Sequence, residues 1–254
     1  MKKAITTRGL IIGEGEPKIC TPIVGRTLSE LKEEALLIKA INSDLVEWRA
    51  DFYEQVEDKA KVKEALKEIR TALPDLPLIF TFRSLREGGE KEVTIETYYE
   101  LNKTAAESGV VDIIDVELFN ERSIVKSLVE VAHANGVLVI ISNHDFEKTP
   151  AKEEIVSRLR QAQELGGDLP KIAVMPKSIA DVLTLLDATN TMYEQFADRP
   201  IITMSMSGKG VISRIAGEIF GSAITFGAVK KASAPGQVPV RDLRKLLSFI
   251  HLNK

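Results

Sequence analysis

The chain has 254 residues, 44% of them hydrophobic, with 34 basic and 37 acidic residues and a net charge of −3. That balance excludes a strongly basic nucleic-acid or polyanion binder, and no apolar run approaches the length of a membrane span. The N-terminus, Met1-Lys2-Lys3-Ala4-Ile5-Thr6-Thr7-Arg8, lacks the apolar stretch of a signal peptide, and the lone Cys20 forbids an intrachain disulfide, so a cytoplasmic, reducing location is expected.

In chain order, residues 4–6 and 9–12 flank Thr7-Arg8 and read as a hairpin. Short β-type runs follow at 19–24, 45–49, 78–83, 111–117, 137–142, 171–175, 201–204 and 223–226. Amphipathic stretches lie between them. Thr27-Leu28-Ser29-Glu30 has a capping-box pattern and opens a helix over 27–41. A helix charged on one face covers 58–72. Thr149-Pro150 supplies an N-cap and a proline at the first helical position, and Gly166-Gly167 ends that helix. Helices over 178–196 and 240–252 follow. Strands alternating with helices predict an α/β fold with a parallel sheet, and eight repeats in this length match a (β/α)8 barrel. The hairpin would close the barrel's lower mouth, and residues 1–254 would form one domain. A doubly wound open sheet is the alternative, but the glycine-rich first turn it usually brings is absent after Val24.

The most informative residue is Lys171, alone in the apolar run Pro170-Lys171-Ile172-Ala173-Val174-Met175. On a strand it shares a face with Ala173 and Met175. If that face points into an enclosed site, desolvation makes the neutral amine, a nucleophile toward carbonyls, more accessible. The plain alternative is a lysine at a strand's start that snorkels to solvent. Other strand ends are also polar. Glu47, Arg49 and Asp51 share one face by period two. Arg83 is followed by Glu87-Gly88-Gly89, and further strands end in Asp115-Val116-Glu117, Ser142-Asn143-His144-Asp145 and Met204-Ser205-Met206-Ser207. Each has a bland reading. Glu47 with Arg49 makes a structural ion pair, His144 caps a helix or packs in a loop, Met204 and Met206 are core, and Arg214 is a solvated helical arginine over 211–220. Against the sum of these stands placement, because barrel enzymes carry their chemistry at the carboxyl ends of the strands. A lysine that forms an imine, a histidine that removes the adjacent proton, a carboxylate such as Glu87 that orients it, and an arginine for a substrate carboxylate are the parts of a Schiff-base lyase. With three histidines, one cysteine and no metal-ligand spacing, no GxGxxG after a strand and no P-loop, cofactor-free chemistry is the default.

Over essentially its full length the chain resembles the type I 3-dehydroquinate dehydratases, most nearly the form found in enteric bacteria. The segments that carry the likeness are Glu47-Trp48-Arg49, Phe80-Thr81-Phe82-Arg83-Ser84 with Glu87-Gly88-Gly89, Asp115-Val116-Glu117, Ser142-Asn143-His144-Asp145-Phe146 with Lys148-Thr149-Pro150, Lys171-Ile172-Ala173, Met204-Ser205-Met206 and Ser233-Ala234-Pro235-Gly236-Gln237. The resemblance implies that Lys171 forms the imine with the ring ketone of 3-dehydroquinate. It implies that His144 moves the protons and that Glu87 orients His144. Arg214 would bind the substrate carboxylate, with Ser233 and Gln237 closing over the ring. Glu47, Arg49 and Arg83 would bind ring hydroxyls and the imine region, and Met204, Met206 and Phe226 would form an apolar wall. Thr21 would contact substrate where the family often has serine. The family also implies no metal or organic cofactor, a place in the shikimate pathway and a homodimer. The loop 231–237 is expected to order over ligand. The rivals are a class I aldolase, betrayed by activity on phosphorylated sugars, and a keto-acid-binding barrel, betrayed by binding without turnover.

Overall fold

The computed structural model describes residues 3–229 and 234–254. Strands β1 (Ile5–Thr7) and β2 (Leu10–Ile12) form the expected antiparallel hairpin around Arg8-Gly9. The barrel strands are β3 (Lys18–Ile23), β4 (Leu45–Arg49), β5 (Leu78–Thr81), β6 (Ile113–Glu117), β7 (Leu138–Asp145), β8 (Leu169–Val174), β9 (Ile202–Ser205) and β10 (Ile224–Ala228). They pair in parallel and in chain order, and β10 returns to pair with β3. The β9–β10 seam is closed by one bridge between Ile201 and Ser222, and by Thr203 N–H donating to Ser222 Oγ at 2.9 Å. A two-residue β11 (Val238–Pro239), which the sequence does not announce, extends β10 at Gly227 and Ala228. The curled parallel sheet with helices around it is the TIM-barrel-like fold expected.

Period two divides every strand between two cores. Val46, Trp48, Phe80, Ile114, Val116, Val139 and Ile141 face outward into the layer shared with the first helices. Cys20, Leu45, Ile79, Ile113, Ile140, Leu169, Ile202 and Ile224, one from each barrel strand, face inward as an apolar floor. Ile12 of the hairpin is wholly buried against that floor, with Ile5 and Leu10 beside it. Arg8 fastens the hairpin by donating to Asp112 at 2.8 Å. The hairpin therefore stoppers the lower mouth, as the sequence suggests.

The long helices are α1 (Leu28–Lys39), α2 (Lys59–Ala72), α3 (Ile95–Ala106), α4 (Arg122–Ala134), α5 (Lys152–Glu164) and α6 (Ile179–Thr191). Short α7 (Val211–Ile215) and α8 (Gly217–Phe220) precede α9 (Val240–Asn253). Thr27 caps α1 through Glu30 N–H, but the Glu30 carboxylate accepts from Arg26 N–H, so the box is only half formed. Thr149 does not cap α5. Its hydroxyl donates to Met175 O at 3.1 Å, tying the β7 loop across the end of β8, and the helix begins at Lys152. The full capping box is at Ser178 and Asp181, and the expected 178–196 helix ends in a π-helical turn over Met192–Phe196. The sequence reading assigns neither α3 nor α4, although Thr94 caps α3. The 211–220 pattern breaks at Ala216, and α8 starts at Gly217, where a Cβ would collide with Ser222 O.

Candidate active site

Two residues beyond the floor, the inward positions turn polar on one side. Glu47, Thr81, Asp115, Ser142 and Lys171 succeed one another on β4 to β8, all buried. Lys171 is the third of six residues in β8, so its place at a strand's start is corrected by two positions. It does not snorkel: the residue is 4% exposed. Its Nζ lies 3.0 Å from Asp115 Oδ2 and 3.5 Å from Glu47 Oε1, and 4.8 Å from the Phe226 ring centre. Asp115 Oδ1 accepts from Arg83 Nη2 at 2.8 Å and from Ser142 Oγ at 2.5 Å. Burial alone would raise this carboxyl, but Arg83 and Lys171 overcome it and hold Asp115 at about 2. The lysine nitrogen is thus paired with two carboxylates, whereas the sequence suggests an unpaired desolvated amine. Glu47 and Arg49 do not pair. Glu47 Oε1 accepts from Thr81 Oγ1 at 3.0 Å, while Arg49 makes a two-pronged pair with Asp51 at 2.8 Å through each nitrogen.

One step further along the strands stand Arg49, Arg83, Glu117 and His144. Glu87 reaches His144 from a 3-10 turn (Leu85–Glu87) that ends at Gly88 with φ 82°. A Cβ on Gly88 would strike the Phe146 ring and one on Gly89 would strike Arg83 O, so both glycines are required by close approach. Glu87 Oε2 accepts the backbone N–H of His144 at 2.9 Å and lies 3.0 Å from His144 Nδ1. Asn143 Nδ2 donates to the other oxygen at 3.3 Å. Burial, then the neighbouring Glu117, raise Glu87 to about 7 against the pull of Arg83. Burial, with Arg83, Lys171 and Arg49, holds the His144 imidazole well below its usual range. Near neutral pH the histidine is therefore uncharged. With Glu87 ionised, Nδ1–H donates to it and Nε2 carries the lone pair of a general base.

Glu47, Arg49, Arg83, Glu87, His144 and Lys171 line one cleft with Met204, Met206, Phe226, Ala173, Phe146, Ala234 and Gln237. Of the residues expected, Lys171, His144, Glu87, Glu47, Arg49, Arg83, Met204, Met206, Phe226 and Gln237 meet here. Ser233 lies outside the described residues. Thr21 is not brought to the cleft. It pairs in register with outward-facing Val46, and its hydroxyl bonds Ser43 Oγ at 2.7 Å, because Cys20 and Pro22 take the inward positions of β3. Arg214 is not solvated: it is 1% exposed and sits behind Met204, with Nη1 3.9 Å from Sδ. Nη2 donates to Pro235 O at 3.0 Å, Nε has no partner, and among the described residues the guanidinium has no ion pair. Burial draws it down to about 10. Such a cation favours an anionic ligand group nearby. Ser207, with φ 60° and ψ 176° in a region nearly reserved for glycine, donates its N–H to Pro235 O and seats the same loop.

Sequence reasoning quoted Asp115, Ser142 and Asp51 as polar strand ends without giving them roles. Their signal was period two, since each falls on the inward face of its strand or just beyond it. The assembled groups suit a carbonyl substrate bearing an anionic group: an amine nucleophile, a neutral imidazole beside it, and cations placed for oxyanions.

The profile of the type I 3-dehydroquinase family matches residues 19–254. The chain is 62% identical to the 3-dehydroquinate dehydratase of Bacillus licheniformis over 253 residues, covering 100% of each. It superposes with a TM-score of 0.98, at 55% identity and 100% coverage of both chains, on the type I 3-dehydroquinate dehydratase of Clostridium difficile solved with covalent modified comenic acid. The 3-dehydroquinate dehydratase structure from Geobacillus kaustophilus matches with a TM-score of 0.96 at 39% identity, covering 99% of this chain and 98% of that one.

Proposed function

The chain belongs to the type I 3-dehydroquinase family, and on that premise we propose that it removes water from 3-dehydroquinate through an imine on Lys171, giving 3-dehydroshikimate in the shikimate pathway. The observation that carries the mechanism is the placement of a buried amine and a neutral His144–Glu87 pair on one cleft.

The steps use this chain's own residues. Lys171 adds to the ring ketone, the carbonyl oxygen leaves as water, and a positively charged iminium remains. That charge acidifies the neighbouring carbon. His144 Nε2 takes the proton from it, and Glu87 holds the resulting imidazolium through Nδ1–H. The electron pair returns through the enamine and expels the β-hydroxyl, which takes the proton from His144 and departs as water. Hydrolysis of the imine consumes the first water and frees Lys171, so one water is lost overall. Arg214 holds the substrate carboxylate, with Ser233 and Gln237 over the ring. Glu47, Arg49 and Arg83 bind hydroxyls, and the two methionines and Phe226 form the wall. The same reading carries a single catalytic domain, a homodimer and a cytoplasmic location. Sedimentation checks the dimer. Among the described residues no helix is long and apolar enough to cross a membrane.

The test is incubation with 3-dehydroquinate followed by ultraviolet absorbance of the conjugated enone. The reading expects absorbance that grows with catalytic turnover. A flat trace with folded protein and verified substrate sinks it.

A further inference from the structure

Lys171 carries two carboxylates, and the chemistry of imine formation forces a choice between them. As an ammonium it has three N–H donors, enough for both Asp115 at 3.0 Å and Glu47 at 3.5 Å. Imine formation converts an ammonium and a ketone into an iminium and one water, with no net change in protons. The nitrogen keeps its positive charge but only one N–H. That single N–H can go to only one of the two carboxylates, and in this structure the hydrogen bond of Nζ is to Asp115, with Glu47 an ion-pair contact at 3.5 Å.

The surroundings of the two acids differ. Glu47 offers Lys171 the same oxygen that accepts from Thr81 Oγ1, and the residue opens onto the cleft. Asp115 reserves Oδ2 for Lys171, while Arg83 and Ser142 pin Oδ1. Its side chain has no exposure, and it is not among the residues that line the cleft. Its bonds to Arg83 and Ser142 fix its direction. Buried charge without a partner is costly, so a site that keeps a buried cation through the reaction needs a fixed anion within reach.

We propose that Asp115 is the permanent counter-ion of the iminium on Lys171, and that Glu47 is released from the nitrogen to bind the ring when the imine forms. This rests on the imine assigned above to Lys171. Asp115 does not take part in proton transfer, since its neighbours keep it ionised; that work stays with His144 and Glu87. Its task is to keep the imine protonated, and hence an electron sink, through the catalytic cycle. The other charged and titratable groups facing the nitrogen are Glu47 from β4, Arg49 at its end, Arg83 after β5, Glu117 from β6, and the His144–Glu87 pair. Cys20 lies in the floor below.

The test compares Asp115→Asn with Glu47→Gln, both nearly isosteric, against the wild-type chain. Each is treated with 3-dehydroquinate and borohydride, and the rate at which the Lys171 adduct accumulates is followed by intact mass. The alkaline limb of the kcat profile is recorded in parallel. Removing the anion weakens the iminium's hold on its proton. Asp115→Asn should therefore move the alkaline limb down by about one pH unit or more and slow adduct formation about tenfold. Glu47→Gln should raise KM and leave the limb in place. A folded Asp115→Asn with wild-type limb and wild-type trapping rate overturns the proposal, and so does a limb that moves in Glu47→Gln instead. If Asp115→Asn does not fold, Ser142→Ala takes its place, because it removes one of the two groups pinning Oδ1. It should shift the limb the same way by a smaller amount, and an unchanged limb and rate would overturn the proposal equally. Failure of the wild-type chain to give any adduct would instead strike the imine reading itself.

Discussion

At one height in the barrel, the inner wall has two unlike halves. From β4 to β8 it presents Glu47, Thr81, Asp115, Ser142 and Lys171, and from β9 through β10 to β3 it presents Met204, Phe226 and Pro22. Both halves are buried to similar degrees, so burial alone does not make a reactive site. What separates them is pairing. On the polar half each charge lies within reach of an opposite charge or a donor, Lys171 between Asp115 and Glu47 included, and one step above it the neutral His144 imidazole leans on Glu87. The apolar half offers a ring face and a thioether, which position a substrate without competing for its protons.

Mutations on the two halves should separate accordingly. The largest effect belongs to Lys171→Ala, which removes the electron sink: kcat should fall by about 10⁴-fold or more, with no borohydride adduct, while the circular dichroism spectrum is kept. Next, His144→Ala should lose about 10³-fold in kcat yet still form the adduct, because the imine precedes proton removal. Quantifying adduct by mass separates these two. Glu87 comes third. As pH falls through about 7, Glu87 takes a proton and its O–H points at His144 Nδ1, which moves the ring hydrogen to Nε2 and removes the base. The kcat/KM profile should therefore show an acid limb near 7. Glu87→Gln should abolish that limb and cost about 10²-fold at neutral pH. The smallest effect is on the apolar half. Met204→Leu conserves volume and should change kcat by no more than about threefold, as measured by steady-state assay. A large loss there would erase the contrast between the halves.

Much of this site is legible in the sequence for one physical reason. An ionisable residue within an apolar, period-two strand has no cheap place to go, so Lys171, Glu47 and Asp115 stand out. Their pairing is not legible, because Asp115 meets Lys171 across 56 residues, and only strand order and register bring them together. Thr21 shows the opposite failure. Its resemblance-based role needed an inward face, and the period of β3 gives that face to Cys20 and Pro22. Arg214 reads as solvated from a helical pattern that runs on to 220; the break at Ala216 and the cover of Pro235 accompany its burial. Caps alone did not decide which outer helices were legible: α3 went unassigned although Thr94 caps it, as did α4, where Glu121 provides no side-chain cap.

The central claim is covalent, and one measurement reaches it directly. The protein is treated with 3-dehydroquinate and borohydride, digested, and mapped by mass spectrometry. The account predicts a reduced substrate adduct on Lys171 and on no other lysine. An unmodified Lys171 under conditions of full turnover would contradict it.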